Sequence, residues 1–503
     1  MLLEILFVPL IVLLAYFILK ECRRPPNFPP GPQWLLPIFG NLHLFYYLKW
    51  KLGYLYLALE NLSEKFGPVY GLKLGQDVTV VVTDYEIMKS VLQREDFQGR
   101  PNSYVFTMRT YGEKLGIAFA DGPVYTALRN FTVKCLRDVG GGMGQMNWHI
   151  KETALELVDR LKKSCGDKNE VPKDINLNEL FKLTILNSQW LLFTGKRFDF
   201  DDKEFKHLLD LITTFLNNFD GKGGILSRLP WIRHVAPNMS GYNGLKNAIK
   251  PLQKYLQKVI HRHMINLYTD AEHNNFVDLF FEEMYKQTSA SDVFNEKQLL
   301  STVLDLLTVG MIKNSDAMVD MIHFAAQNPE LQKKLQAEID HFIGRNSPPT
   351  MEHYNEMIWM RAFNLETLRY GTIIPIAMAR RATKDTTLLQ YQIPKDTLIL
   401  PVLHQALMDK GYWKDPQIFR PERFLNAEKT EFIHDERVNI AFGLGHRRSP
   451  GDFIAFCSMF LFMTNILQNF NIEPDPNAQD KLKWVEGISL SPPPFTGTLK
   501  LRC

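Results

Sequence analysis

A mainly α-helical chain with small β-sheets is the architecture this sequence predicts. Three observations carry it: helical hydrophobic periodicity recurs over long stretches, β-branched residues gather only in short runs, and no shift in composition divides the 503 residues into unrelated halves. Hydrophobic residues make up 45% of the chain and include 34 Phe, enough to fill one large core. The formal net charge of +3 is too small to favour nucleic acid as a partner. Cys22, Cys135, Cys165, Cys457 and Cys503 are scattered and form no C-x-x-C pair, so they read as reduced intracellular thiols. The sequons at Asn61, Asn130 and Asn238 would matter only in a lumen.

From the amino terminus, Leu2 to Leu19 is apolar except for Glu4 and is followed by Lys20, Arg23 and Arg24. That length just spans a bilayer. Basic residues do not precede the apolar run and no small-residue cleavage site follows it, so it reads as a retained signal anchor. The basic cluster on its carboxyl side then leaves the rest of the chain in the cytosol. Residues 1–20 are thus the expected transmembrane anchor and 21–32 a basic, Pro-rich linker. Its prolines fix φ, forbid a continuing helix and make a stiff spacer. Residues 33–503 are expected to form one catalytic domain.

Within that domain, Val69 to Leu74 and Val78 to Val82 flank a Gly-Gln-Asp turn and predict a hairpin. Helical patterns follow around 148–164, 204–218, 243–268, 293–327, 329–343, 355–370 and 451–469, with short strand signals near 386–401. Between them, 219–242 is a long connection carrying Leu229-Pro230-Trp231-Ile232. Its apolar residues either dip into a membrane or cap a core.

Three motifs give the chain a family resemblance. Glu366-Thr367-Leu368-Arg369 places a carboxylate and a guanidinium on one helical face. Phe419-Arg420-Pro421-Glu422-Arg423-Phe424 adds another arginine, and Phe442-Gly443-Leu444-Gly445-His446-Arg447-Arg448-Ser449-Pro450-Gly451 follows. The last stretch resembles the F-x-x-G-x-R-x-C-x-G haem loop of the cytochrome P450 family at every signature position but one, where Ser449 stands in place of the cysteine. The similarity runs from Pro29-Pro30-Gly31-Pro32 through Gly99-Arg100-Pro101 to Ile393-Pro394-Lys395, and looks most like the animal microsomal type, insect members included.

The resemblance implies the cytochrome P450 fold, haem b as cofactor, and NADPH-dependent monooxygenation of a small lipophilic substrate. It also implies electrons from NADPH-cytochrome P450 reductase and a place on the endoplasmic reticulum membrane with the catalytic domain in the cytosol. Sterols, terpenoids, fatty acids and foreign compounds all remain open as substrates. By the same resemblance Glu366, Arg369 and Arg423 form a structural charge cluster, and Phe442, Gly445, Arg447 and Ser449 shape the haem loop. Arg129, four residues after Tyr125, matches a W-x-x-x-R signature with tyrosine for tryptophan. Arg129, Arg381 and Arg447 are the expected haem-propionate ligands, since guanidinium groups bind carboxylates in bidentate fashion.

The departures from the pattern fall at the positions that carry the oxygen chemistry. In the family a thiolate behind the iron pushes electron density onto it and favours O–O cleavage. Cysteine supplies that anion because its pKa is about 8.5 and falls further near N–H donors or a metal. Serine is a far weaker acid, which leaves Ser449 three options: a neutral hydroxyl ligand, an alkoxide assisted by ferric iron, or no bond. Cys457 lies eight residues on, roughly 12 Å along a helix, and cannot take its place. His446 is nearer, but only a remodelled loop would bring it to the iron. A structural reading of Ser449 also stands: Ser449-Pro450-Gly451-Asp452 has the S-x-x-D form of a helix capping box.

On the distal side the family's A-G-x-[DE]-T aligns with Val309-Gly310-Met311-Ile312-Lys313. Gly310 survives, Ile312 replaces the proton-relaying acid and Lys313 replaces the threonine. Asp316 lies about 6 Å further along the helix axis and is a poor substitute. A desolvated Lys313 would favour its neutral form, which can approach iron, or would snorkel toward water or a propionate. Two functional readings follow. One is a true monooxygenase that tolerates Ser449; the other is an impaired relative, down to a non-catalytic haem- or ligand-binding pseudoenzyme or a scaffold that occupies a reductase. Loss on both faces of the haem favours impairment.

Overall fold

The computed structural model describes residues 15–16, 18, 20–33, 36–138, 143–166, 169–172, 175–219, 224–266, 275–286, 293–476, 482–487 and 489–502. Most of the expected anchor lies outside them. Among the described residues no helix is long and apolar enough to cross a membrane.

Six helices frame the interior: α1 (Gly122–Asp138), α2 (Met143–Ser164), α3 (Leu177–Thr194), α4 (Glu296–Gln327), α5 (Ile358–Gly371) and α6 (Asp452–Asn469). The 32-residue α4 is the spine, packed by α3, α5 and α6. Asn295 starts it by accepting the Gln298 amide at 3.0 Å, which satisfies a donor that has no partner inside the helix. Both α4 and α6 bury residues on nearly every face, as helices inside a large core do.

The strands are β1 (Val69–Leu74), β2 (Asp77–Val82), β3 (Arg380–Arg381), β4 (Thr386–Leu388), β5 (Tyr391–Ile393), β6 (Leu398–Pro401), β7 (Phe470–Glu473), β8 (Val485–Glu486), β9 (Leu490–Ser491) and β10 (Thr498–Leu501). One sheet runs β1-β2-β6-β3, and β7–β10, β4–β5 and β8–β9 pair separately. In that sheet Arg380 lies opposite Ile399 and Arg381 opposite Leu398, so the two arginines leave the short strand on opposite faces.

The predicted hairpin forms as β1 and β2, and each predicted helix appears within a few residues of its expected ends. The helices α1 and α3 are additions. Buried residues on all faces of α3 remove the polar stripe that periodicity relies on, and α1 buries Thr132 and turns Arg129 inward. The connection 219–242 holds two one-turn helices, Ile225–Arg228 and Ile232–Val235. Leu229 is buried, as the core-capping reading expects, while Trp231 is exposed.

The capping box at Ser449 does not form. Gly451 is the N-cap of α6, and Ser449 Oγ accepts the Gly451 amide at 3.3 Å. Asp452 instead receives Arg448 Nε at 2.7 Å. Proline at position 450 leaves one residue of turn before the helix begins, and the serine hydroxyl closes that turn. Cys22, Cys135, Cys165 and Cys457 are free thiols.

Candidate active site

A cavity of about 280 Å³ lies between α4 and the loop leading into α6. One face of α4 lines it with Asp305, Leu306, Val309, Gly310, Lys313, Asn314 and Ala317, a spacing of three and four that repeats on one side of a helix. Phe442, Gly443, Ser449 and Pro450 line the opposite wall. Arg100, Arg129, Arg380 and Arg447 also line it, so its wall is rich in guanidinium groups.

The loop wall is held by local backbone geometry. The Ser449 amide donates to the Phe442 carbonyl at 2.8 Å, and the Phe442 ring packs on Phe456 with centroids 5.1 Å apart. Gly445, with φ of +67°, lies outside the lining, and a Cβ there would strike the Leu92 carbonyl. Its role is to let the loop pass close to the end of the helix Tyr85–Gln93. Cys457 is buried outside the cavity, where burial pushes its thiol up to about 12. His446 is exposed, with its Nε2 3.3 Å from Thr126 Oγ1. Burial and the nearby Arg129 and Arg447 lower its pKa.

Positive charge gathers in the cavity wall without matching negative charge. Arg447 donates to the Gln98 carbonyl, the Ala120 carbonyl and Asp121, and its remaining Nη1 is buried with no partner among the described residues. Its guanidinium lies 3.4 Å from the centre of the Tyr125 ring. Arg380 donates to Gln98 Oε1 at 2.8 Å, and Arg100 to the Ala118, Met378 and Ala379 carbonyls. Arg129 Nη1 reaches only the Tyr125 hydroxyl, at 3.3 Å. Burial, then the like charge of Arg447, bring Arg380 down to about 9. Arginine keeps its proton in proteins, so this shift reflects the cost of burying a guanidinium beside like charge, which a bound anion offsets. Burial works to raise Asp121, but hydrogen bonds from Lys114 and Arg381 hold it low, and those same bonds engage it fully.

One of the expected propionate ligands lies outside the lining. Arg381 does not line the cavity: its guanidinium binds Asp121 at 2.7 Å and Asp396 at 2.6 Å, and its Nε donates to the Arg100 carbonyl. Arg380, on the other face of β3, takes the inward position. The alternation of side chains along a strand decides between adjacent arginines, and only the pairing register shows which face is inward. Arg100 was also missed as a site residue, although Gly99-Arg100-Pro101 carried part of the resemblance.

The α4 wall separates two positions that the sequence placed together. Lys313 enters the cavity, whereas Ile312 borders a second cavity of about 510 Å³ together with Met311. Burial, then Arg100, lower Lys313 to about 8. Gly310 packs against α3, where a Cβ would displace the flexible end of Gln189. Asp316 faces away and accepts Ser489 Oγ at 3.1 Å and Ser491 Oγ at 2.9 Å, with burial raising it to about 7. One turn on, Trp484 Nε1 donates to Asp320 at 3.0 Å, and burial raises that carboxyl as well.

Behind this site lies the predicted charge cluster. Arg369 donates through Nε and Nη2 to the two Glu366 oxygens at 2.7 and 2.8 Å, and Arg423 Nε reaches Oε1 at 3.2 Å. Both Glu366 and Arg369 are fully buried.

A haem group fits the donor set on one side and meets a mismatch on the other. Surplus guanidinium charge and the orphaned Arg447 Nη1 suit a pair of carboxylates. The hydroxyl of Ser449 offers no thiolate.

A mainly helical frame with a long central helix, a glycine-turned loop opposite it and arginines in the wall between defines a haem-pocket protein. The cytochrome P450 family model matches residues 29–499, and the chain belongs to that family, whose cofactor is haem b. It is 35% identical over 488 residues to a farnesoate epoxidase of Bombyx mori, covering 96% of each chain. It is 33% identical over 495 residues to a probable cytochrome P450 305a1 of Drosophila melanogaster, covering 97% of this chain and 96% of the relative. Cytochrome P450 2J2 of Homo sapiens is 31% identical over 484 residues, covering 95% of this chain and 92% of the human one.

Proposed function

We propose that this chain is a haem-binding cytochrome P450 whose monooxygenase chemistry is impaired at the iron ligand. The observation that carries this reading is Ser449 on the cavity wall opposite Lys313, where the family pattern calls for cysteine and threonine. Haem, when bound, supplies the redox-active iron. Arg129, Arg380 and Arg447, with Arg100 beside them, hold its propionates, and the unpaired Arg447 Nη1 supports that role. Phe442 and Gly443 on the loop wall would help to hold the group, and Ser449 would offer it a neutral hydroxyl. On the distal side neither Ile312 nor Lys313 restores the acid–hydroxyl pair, and Asp316 is engaged by two serines.

The chain's working context follows its family. Residues 1–20 anchor it in the endoplasmic reticulum membrane, 21–32 space it from the bilayer, and 33–503 form the haem domain in the cytosol. Exposed Tyr46, Tyr47 and Trp50 near the amino terminus and exposed Trp231, Val235 and Met239 after the glycine-rich connection support a membrane-facing side. NADPH-cytochrome P450 reductase is the electron partner and a small lipophilic molecule the ligand. The farnesoate epoxidase relative makes farnesoate the first substrate to try.

The test is the Soret band of the full-length protein after reduction and addition of carbon monoxide. A neutral-ligand band is expected, with a thiolate-type band appearing in Ser449→Cys. A thiolate-type band from the unmodified protein, or coupled turnover with reductase and NADPH at the rate of the cysteine variant, would overturn the reading.

A further inference from the structure

Lys313 sits midway along the α4 stripe that faces Ser449, and it is the residue that the altered distal pattern leaves without a role. It makes no hydrogen bond or ion pair among the described residues. The acid on the same stripe, Asp305, is eight residues back, roughly 12 Å along the axis. Asp305 is also committed: it pairs with the buried Arg109 and accepts the Ala118 amide at 2.8 Å. The charge that acts on Lys313 is Arg100, of the same sign. Lys313 is half-buried on the cavity wall, and an ammonium placed there beside a guanidinium, with no acceptor among the described residues, is an expensive arrangement for a protein to keep. A Lewis acid in the cavity removes that expense, because an amine nitrogen that gives up its proton becomes a donor to the metal.

Resting on the reading that haem occupies this cavity, we propose that Lys313 Nζ is an axial ligand of the haem iron on the face opposite Ser449. In forming the bond the ammonium loses one proton to solvent, its lone pair forms the Fe–N bond, and any water on that face leaves. The oxidation state of the iron does not change. The assignment gives the threonine-to-lysine change a role of its own. With serine a weak donor on one side, the amine becomes the stronger protein ligand, and it occupies the side on which oxygen and substrate would meet the iron. The chain then holds haem in a six-coordinate, closed state.

Full-length protein carrying haem, as wild type, Lys313→Met and Lys313→Arg, tests this by ferric absorption and electron paramagnetic resonance, with haem content measured in parallel. Methionine preserves length without the amine, and arginine preserves charge but cannot deprotonate to bind a metal. The expected result is a low-spin, six-coordinate wild type with a nitrogen ligand. Both variants should lose that signal while keeping equal haem content, and their reduced forms should bind carbon monoxide faster because no amine has to leave. A high-spin wild type, or a Lys313→Arg variant that keeps the wild-type signal through a propionate ion pair, overturns the ligand assignment and leaves the proposed function standing. Absence of haem from the wild type and from Ser449→Cys alike overturns both.

Discussion

Glu366, Arg369 and Arg423 lie as deep in the protein as Arg100, Arg380 and Arg447, yet the two groups of charges end in opposite states. In the first, one carboxylate receives two guanidinium groups and the Arg420 amide, and the outer nitrogens find the Leu407, Trp413 and Asp415 carbonyls. In the second, five arginines share the wall of one cavity, of which Arg448 is bound to Asp452; Asp121 is already divided among Lys114, Arg381 and Arg447, and one Arg447 nitrogen has no partner among the described residues. A saturated network holds a fold together without further help. An unsaturated one needs an anion from outside the chain, which makes it a binding site.

That contrast can be broken most forcefully at Glu366. Replacing it with alanine strands two buried guanidinium groups, and the expected loss is about 3–5 kcal/mol of folding stability, read by chemical denaturation. A loss within the range of a surface mutation would mean that the cluster is not the closed unit described. The open network should respond in ligand binding rather than folding. Arg447→Met is expected to weaken haem retention by about 1.5–3 kcal/mol, measured as faster transfer of haem to a scavenging globin. Arg380→Met should weaken it more than Arg381→Met, and the reverse order would restore the expectation from the family resemblance.

A third region sharpens the comparison, because Asp316 and Asp320 are buried carboxyls with hydrogen-bond donors but no cation bonded to them. Burial lifts Asp316 from the usual carboxylate value to about 7, so the folded protein holds a proton that the unfolded chain has lost. Its contribution to stability is fully present below about pH 4 and is lost as pH rises through about 7. Asp316→Asn should therefore flatten that part of the stability profile, by at most about 1.4 kcal/mol per pH unit. An unchanged slope would place the titration elsewhere. The smallest effect is expected at Gly310→Ala. The Cβ would displace the end of the flexible Gln189 side chain while gaining helix propensity, for a net change within about 1 kcal/mol in thermal unfolding.

Most of the frame was legible in the sequence because amphipathic helices and β-branched runs record their burial in their own periodicity. The helix α3 was not, since burial on every face leaves no polar stripe to read. The haem loop and the charge cluster were legible through motif spacing. Other parts of the site depend on geometry that the sequence does not record. Arg380 and Arg381 are equivalent in composition and differ only in the face of β3 they leave from. Ser449 has the pattern of a helix cap, but α6 begins after Gly451, so its hydroxyl bonds within the turn. Ile312 and Lys313 are neighbours in sequence but point into different cavities, because one residue turns a helix by about 100°.

By itself the sequence determined the class of the fold and the chemical identity of what is missing: a serine hydroxyl has no thiolate to give, whatever surrounds it. Only the tertiary structure decided which arginines face inward, that Lys313 enters the cavity without a partner, and that Asp316 is held elsewhere. Those outcomes depend on contacts between segments hundreds of residues apart, whose register and burial no local pattern encodes.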